Sequence, residues 1–399
     1  MKIKSVSTFV HDDFPNIVHV EIEADNGIIG LGESYYFGST VAHYINAFAG
    51  PAIIGMNPLE REAILKTLTS YVGYNSSGVE TRARSAIDLA LWDIAAKSEN
   101  KPLYKYLGAT DSRALRIYNT CAGKLYMRKS NQNSSAWGLD SNSDQYEDLK
   151  AFMNDAGTLA EELLSEGISA MKIWPFDLYA EKNWGSEISM SDLKSGLIPI
   201  TKIRDKVGGK MDIMIELHAL WSLKAAKEIM SALKDFDIFW VEDPLHPDLS
   251  QEFEELRIQD FPKIAHGETV ASYAKVQYLT KNKLIDYLTL DLGWCGGLTQ
   301  GLQYAEAARL NGINIAPHDC TGPVGLIFGA HLSTFDPNAV IQETVRSSMR
   351  TWYPHIVNGL PSIDKGFIMV TENIGHGLSL TDEFRNSPNM RSFHITEKI

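Results

Sequence analysis

The chain has 399 residues, 44% of them hydrophobic and 22% charged, an ordinary globular composition whose length suits two domains or one large barrel with an addition. Its formal net charge of −13 argues against a nucleic-acid or anionic-membrane partner, and a carboxylate substrate would need a local cation to offset that field. No apolar run reaches the roughly 18 residues of a membrane span. The start MKIKSVSTFVHDDFPN lacks a signal-peptide core, and Cys121, Cys295 and Cys320 are too scattered for a disulfide framework or zinc site, so a reducing cytoplasm is expected.

Residues 1–50 read as strands and turns. Ile17 to Glu23 alternates in polarity, Asn26-Gly27 is a strong hairpin turn, and Ile28 to Glu33 resumes a short strand. From about Asn57 to Leu107 the pattern becomes helical, with Thr81 to Lys97 placing Ala86, Leu89, Ala90, Asp93 and Ile94 at helical spacing. A β-meander followed by helices predicts an α+β N-terminal domain. Lys124 to Asp148 is rich in Ser, Asn and Asp and predicts a long loop of the kind that serves as a lid or binding element.

Beyond it, short apolar runs end repeatedly in a polar residue, each followed by a helical stretch. The runs are Ile168–Ile173, Asp212–Glu216, Ile238–Glu242, Lys263–Glu268, Tyr287–Asp291, Ile313–His318 and Ala339–Glu343. With Ile117–Ala122 in front they make about eight strands, the number that closes a parallel barrel. A doubly wound sheet would gather its ligands at one switch point instead of at nearly every strand end.

In such a barrel, polar residues at C-terminal strand ends converge. Glu216 to Glu242 is 26 residues, Glu242 to Glu268 is 26, Glu268 to Asp291 is 23 and Asp291 to His318 is 27. Three carboxylates on consecutive strands would repel unless a proton or a cation lay among them, so Glu216, Glu242 and Glu268 are the candidate ligands of a Mg²⁺, with Mn²⁺ as the alternative. Any one of them alone could be a solvated strand end; three in register favour the metal.

The run Ala86-Ile87-Asp88-Leu89-Ala90-Leu91-Trp92-Asp93 with Lys97, then Val241-Glu242-Asp243-Pro244, Gly267-Glu268, Asp291 with Gly296-Gly297-Leu298-Thr299, and His318, resembles the mandelate racemase branch of the enolase superfamily, in particular its acid-sugar dehydratases. The resemblance implies an α/β protein: a modified TIM barrel, (β/α)7β, over residues 117–358. It further implies an α+β capping domain over 1–116, completed by a C-terminal segment, 359–399. It also implies Mg²⁺-assisted removal of a proton α to a carboxylate through an enediolate, a small-molecule sugar-acid substrate, and a homo-oligomer, dimer or octamer.

Within that frame His318 is the expected base. Asp291 would bond one ring nitrogen, fix the tautomer and raise the pKa. The branch often carries Lys-x-Lys where this chain reads Lys172-Ile173-Trp174, so Lys172 is either an acid/base or a contact to the substrate carboxylate or enediolate. His218 matches the general acid of dehydratases, although the first ligand beside it is Glu216 and not the usual Asp. Glu343 matches a carboxylate that bonds substrate, a role expected to require its protonated form. Tyr35, with Tyr36 and Phe37, is expected in a capping loop over the substrate, and Trp174, Trp294 and Asp319 are candidate pocket walls. Cys320 reads as packing, and Gly296-Gly297 lacks the Lys-Ser/Thr of a phosphate loop. The expected reaction is dehydration to a 2-keto-3-deoxy acid. A racemase, epimerase or cycloisomerase of a sugar acid, including an anhydro-sugar acid, shares its first step. A non-catalytic sugar-acid-binding protein is the alternative from another class.

Overall fold

The computed structural model describes residues 1–69, 77–129, 134–139, 146–249 and 251–396. Of the loop expected at 124–148, residues 130–133 and 140–145 lie outside the described residues.

The N-terminal sheet begins with three antiparallel strands, β1 (Ile3–His11), β2 (Ile17–Ala24) and β3 (Ile29–Tyr35). Met390–Thr396 pairs with the free edge of β1, so the far end of the chain supplies the fourth strand. The helix Val79–Ser98 lies across β3 at backbone contact: a Cβ on Gly32 would fall 1.9 Å from the Ala86 carbonyl oxygen, and one on Gly30 2.0 Å from that of Ala90. Only glycine at both positions permits that approach. Among the described residues, no helix is long and apolar enough to cross a membrane.

Eight parallel strands then form a ring. They are β4 (Leu115–Thr120), β5 (Ala170–Ile173), β6 (Asp212–Glu216), β7 (Ile238–Glu242), β8 (Ile264–His266), β9 (Tyr287–Leu288), β10 (Asn314–Ile315) and β11 (Gln342–Thr344). β4 through β10 pair in sequence order, β11 pairs with β4, and a bridge between Ile315 and Ala339 closes the circle. Helices lie between every consecutive pair of strands, from Asp148–Ser165 to Pro323–Phe335, the arrangement of a (β/α)7β barrel. The barrel interior is filled by one residue from each strand or its flank: Tyr118, Ala170, Met214, Trp240, Ala265, Tyr287, Ala316 and Ile341. Bulky aromatics across from alanines make a solid floor, so chemistry is confined to the layer above it. The hairpin of Ile363–Asp364 and Phe367–Ile368 pairs with Leu115 and Arg116 at the start of β4, which keeps part of the C-terminal segment with the barrel.

The two domains are joined by polar contacts beside the barrel mouth. Asp88 accepts from the Thr299 amide (2.8 Å) and hydroxyl (2.6 Å), and Gly297, at φ 94°, has no room for a Cβ against the Asp88 carboxylate. Ser85 accepts from the Gly296 amide, Ser34 donates to the Gly293 carbonyl, and Glu33 accepts from the Gly325 amide. The helical motif around Asp88 and the Gly-Gly-Leu-Thr motif are thus two halves of one joint. Asp93 performs the same service for the C-terminal segment, accepting from the Leu31 and His376 amides and pairing with Lys97.

Candidate active site

Glu216 and Glu242 close β6 and β7 and are paired in register. Glu268 follows β8 by two residues, after Gly267 at φ 136°. The three carboxylates are buried, and each offers an oxygen within 4.8 Å of the others. Glu216 Oε2 and Glu242 Oε1 are buried without a hydrogen-bond partner. Hard oxygens converging in this way, two of them buried without a hydrogen bond, fit a Mg²⁺-type cation.

Lys172, near the end of β5, is buried among acids. Its Nζ lies 2.9 Å from Glu343, 3.1 Å from Glu242 and 3.4 Å from Glu216. One ammonium cannot balance this many carboxylates. Burial raises Glu242 well above the ordinary range and pushes Glu268 up to about 7, the His318 charge opposing the latter shift. Protons therefore stand where a cation would otherwise offset the charge.

His318 lies just past β10, and its Nδ1 is 2.7 Å from Asp291 Oδ2 while Nε2 is 3.2 Å from Glu268. Burial works against its charge, but Glu268, Glu343 and Asp291 together hold its imidazolium well above the usual histidine value. Trp294 packs on the His318 ring at 5.0 Å between centroids, and the Arg82 guanidinium from the capping helix stacks over Trp294 at 4.5 Å.

On the other side of the triad, His218 Nδ1 is 2.6 Å from Asp177 Oδ2. The residue adopts φ 47° and Ala219 follows at φ 57°, a left-handed conformation that costs a non-glycine residue about 1 kcal/mol. That strained turn is held by the His218 amide on Glu216 Oε1 (2.7 Å) and the Ala219 amide on the Asp243 carbonyl (2.8 Å). Burial opposes the His218 charge, yet Asp177 and Glu216 push its pKa up to about 10. Trp174 meets the ring edge-on at 5.8 Å.

Glu343 corrects an expectation. Burial alone would protonate it, but Lys172, His318, the Thr120 hydroxyl and the Asp319 amide hold it below the usual carboxylate range, so it is a carboxylate and not a neutral donor. Tyr35 is the last residue of β3. Its hydroxyl is occupied by the Met127 carbonyl at 2.9 Å. β3 ends there and the chain turns left-handed at Tyr36 and Phe37 (φ 64° and 58°), which carries Tyr36 to within 5.5 Å of Trp294. Asp319 is fully buried, its carboxyl raised by burial and by Glu343, with Oδ2 unpartnered. The Trp174 and Trp294 indole nitrogens are likewise buried without acceptors, and Tyr126 completes the aromatic wall beside Trp174 at 5.0 Å.

The structure therefore gathers Lys172, Glu216, His218, Glu242, Glu268, Asp291, His318 and Glu343 at one end of the barrel. It adds Asp177, Thr120 and Arg82, which the sequence reading passed over. Asp177 carried a usable signal, being an acid in the loop that leaves the C-terminal end of a barrel strand.

Residues 5–108 match the family model for the N-terminal domain of mandelate racemase / muconate lactonizing enzyme, and residues 155–384 match the one described as enolase C-terminal domain-like. The D-mannonate dehydratase of Novosphingobium aromaticivorans is 26% identical, covering 96% of this chain and 94% of its own length. The D-xylonate dehydratase of Haloferax volcanii is 25% identical over 94% of this chain and 85% of its own. A crystal structure of a mandelate racemase subgroup enolase from Agrobacterium tumefaciens superposes with a TM-score of 0.87 at 36% identity, covering 100% of this chain and 99% of that one. With both domains matched and the carboxylates at consecutive strand ends, the chain belongs to the mandelate racemase/muconate lactonizing enzyme branch of the enolase superfamily.

Proposed function

We propose that this protein is a Mg²⁺-dependent dehydratase of hydroxylated sugar acids, giving 2-keto-3-deoxy acids. The observation that carries the reading is the pair of carboxylate-bound histidines, His318 with Asp291 and His218 with Asp177, on either side of the glutamate triad. Dehydrations named among the relatives at about 25% identity agree with it.

Glu216, Glu242 and Glu268 would hold the metal. When bound, Mg²⁺ (or Mn²⁺) supplies Lewis-acid stabilisation of the negative charge that develops on the substrate carboxylate. Asp291 fixes the His318 ring through Nδ1, and Nε2, which faces Glu268 at 3.2 Å, takes the α proton once that contact and its proton are given up. Lys172, held at the triad by Glu343, contributes positive charge where the enediolate forms. Its burial between carboxylates favours an electrostatic role over proton transfer, because its pKa is raised well above the ordinary lysine value. His218 then protonates the departing β-hydroxyl, which leaves as water, and the resulting enol tautomerises. The aromatic wall of Tyr36, Tyr126, Trp174 and Trp294 suits the C–H faces of a sugar chain.

A panel of mono- and diacid sugars incubated with Mg²⁺ tests the assignment, with the 2-keto-3-deoxy product trapped by semicarbazide. Silence across the panel, with sugar-acid binding insensitive to EDTA, would leave a non-catalytic binding protein. The same opposed histidines also suit an epimerase or a cycloisomerase. Deuterium entering the α carbon without loss of water, or ring opening of an anhydro-sugar acid, would favour that second reading.

A further inference from the structure

The ring order places β6 and β10 four strands apart in an eight-stranded barrel, which is across its mouth. His218 follows β6 and His318 follows β10. Each has its Nδ1 on a carboxylate carried by the segment that leaves the preceding strand: Asp291 after β9 at 2.7 Å, and Asp177, at the start of the short helix Asp177–Ala180 after β5, at 2.6 Å. The base and the residue across from it are thus held by the same device.

Asp177 is nine-tenths or more buried, and its second oxygen, Oδ1, is buried without any hydrogen-bond partner. A carboxylate in that position is costly unless its single contact is worth the desolvation. That contact is His218. The backbone of His218 is locked separately by Glu216, and Trp174 closes one edge of the ring. Among the described residues no side chain or backbone group hydrogen-bonds His218 Nε2, and the residue lines a cleft of about 600 Å³ with Ser77, Gly78, Ala219 and Thr269.

We propose that Asp177 is a positioning residue that holds His218 with Nδ1–H fixed and Nε2 aimed at the leaving β-oxygen of the substrate. The inference rests on the dehydratase reading. In the step it serves, the Cα–H bond breaks and its proton goes to His318, and the freed pair becomes the C=C bond. The Cβ–O bond breaks with its electrons on oxygen, and the proton on His218 Nε2 passes to that oxygen to complete water. Asp177 keeps its bond to Nδ1–H throughout, so the neutral ring is left in the tautomer that reloads at Nε2.

The test compares Asp177→Asn and His218→Asn with wild type on the accepted sugar acid and on its 3-chloro-3-deoxy analogue, whose chloride leaves without a proton. Asp177→Asn is expected to lower kcat on the hydroxyl substrate by about 10²-fold with KM within threefold, and to recover to within tenfold of wild type on the chloro analogue. Exchange of the C2 proton in D₂O, which His318 alone performs, should persist. Asp177→Asn equal to wild type on the hydroxyl substrate, or equally impaired on both substrates and in exchange, would overturn the proposal.

Imidazole ¹⁵N NMR of the wild-type protein gives a readout that needs no variant to fold. The resting ring is expected as the imidazolium, and on raising the pH it should lose the Nε2 proton and keep Nδ1–H; a neutral ring protonated on Nε2 overturns the proposal. Wild type inert on every sugar acid would instead sink the dehydratase reading, while the ring NMR would still report on the Asp177–His218 pair.

Discussion

Lowering the pH acts directly on the glutamate triad. Burial pushes Glu268 up to about 7 and raises Glu242 well above the ordinary range, so a cation entering the triad competes with protons. At pH 6 Glu268 is about nine-tenths protonated, and each pH unit below its pKa costs the incoming metal about 1.4 kcal/mol. Mg²⁺ affinity should therefore fall about fivefold from pH 7 to pH 6 and approach a tenfold loss per unit below that. A carboxyl whose folded pKa lies above its unfolded value of 4.5 keeps full stability below that value and loses it as pH rises toward 7, by about 3 kcal/mol for Glu268 in metal-free protein. Titration calorimetry at pH 6, 7 and 8, in buffers of different ionisation enthalpy, measures both the affinity and the protons released. Affinity constant across that range with no proton release would refute the assignment of the triad as the metal site.

Replacing the base should separate binding from chemistry: His318→Asn is expected to lower turnover by about 10³-fold while Mg²⁺ affinity by calorimetry stays within a few-fold. Lys172 competes with a cation for Glu216 and Glu242, so Lys172→Met should tighten Mg²⁺ about tenfold yet reduce turnover at least 10²-fold. Weaker metal binding in that variant would contradict the competition. Gly32→Ala would drive a methyl into the Ala86 carbonyl and should destabilise the capping domain by about 1–3 kcal/mol, read as a lower Tm. An unchanged Tm would mean that strand and helix are not in backbone contact.

The barrel was legible because each strand announced itself with an apolar run and a polar end. β6 and β7 run over the residues read from the sequence, ending on Glu216 and Glu242. β8, β9 and β10 stop sooner, at His266, Leu288 and Ile315. Glu268, Asp291 and His318 therefore sit just beyond the ladder, where the loop's own contacts, not the strand, set their direction. Pairings such as Asp291 with His318 could be guessed from adjacent strand ends, but Asp177 with His218 depends on how the loop after β5 folds back, which spacing does not encode. The strand read as ending at Glu33 runs on to Tyr35, and the left-handed turn begins only at Tyr36, which the residue types there do not announce. The protonation of Glu343 was misjudged for a related reason. Counting acids suggested a neutral carboxyl, whereas Lys172, Thr120 and the Asp319 amide all converge on it from separate strands and loops.

The central claim is that the triad and His318 form one site for removing a proton α to a carboxylate. The most direct measurement is NMR of the accepted sugar acid in D₂O with the His218→Asn variant and Mg²⁺. The C2 proton signal should disappear while the sugar itself is not consumed, and EDTA or a further His318→Asn change should abolish the exchange. Retention of the C2 proton under all these conditions, alongside normal elimination by the wild type, would contradict the account.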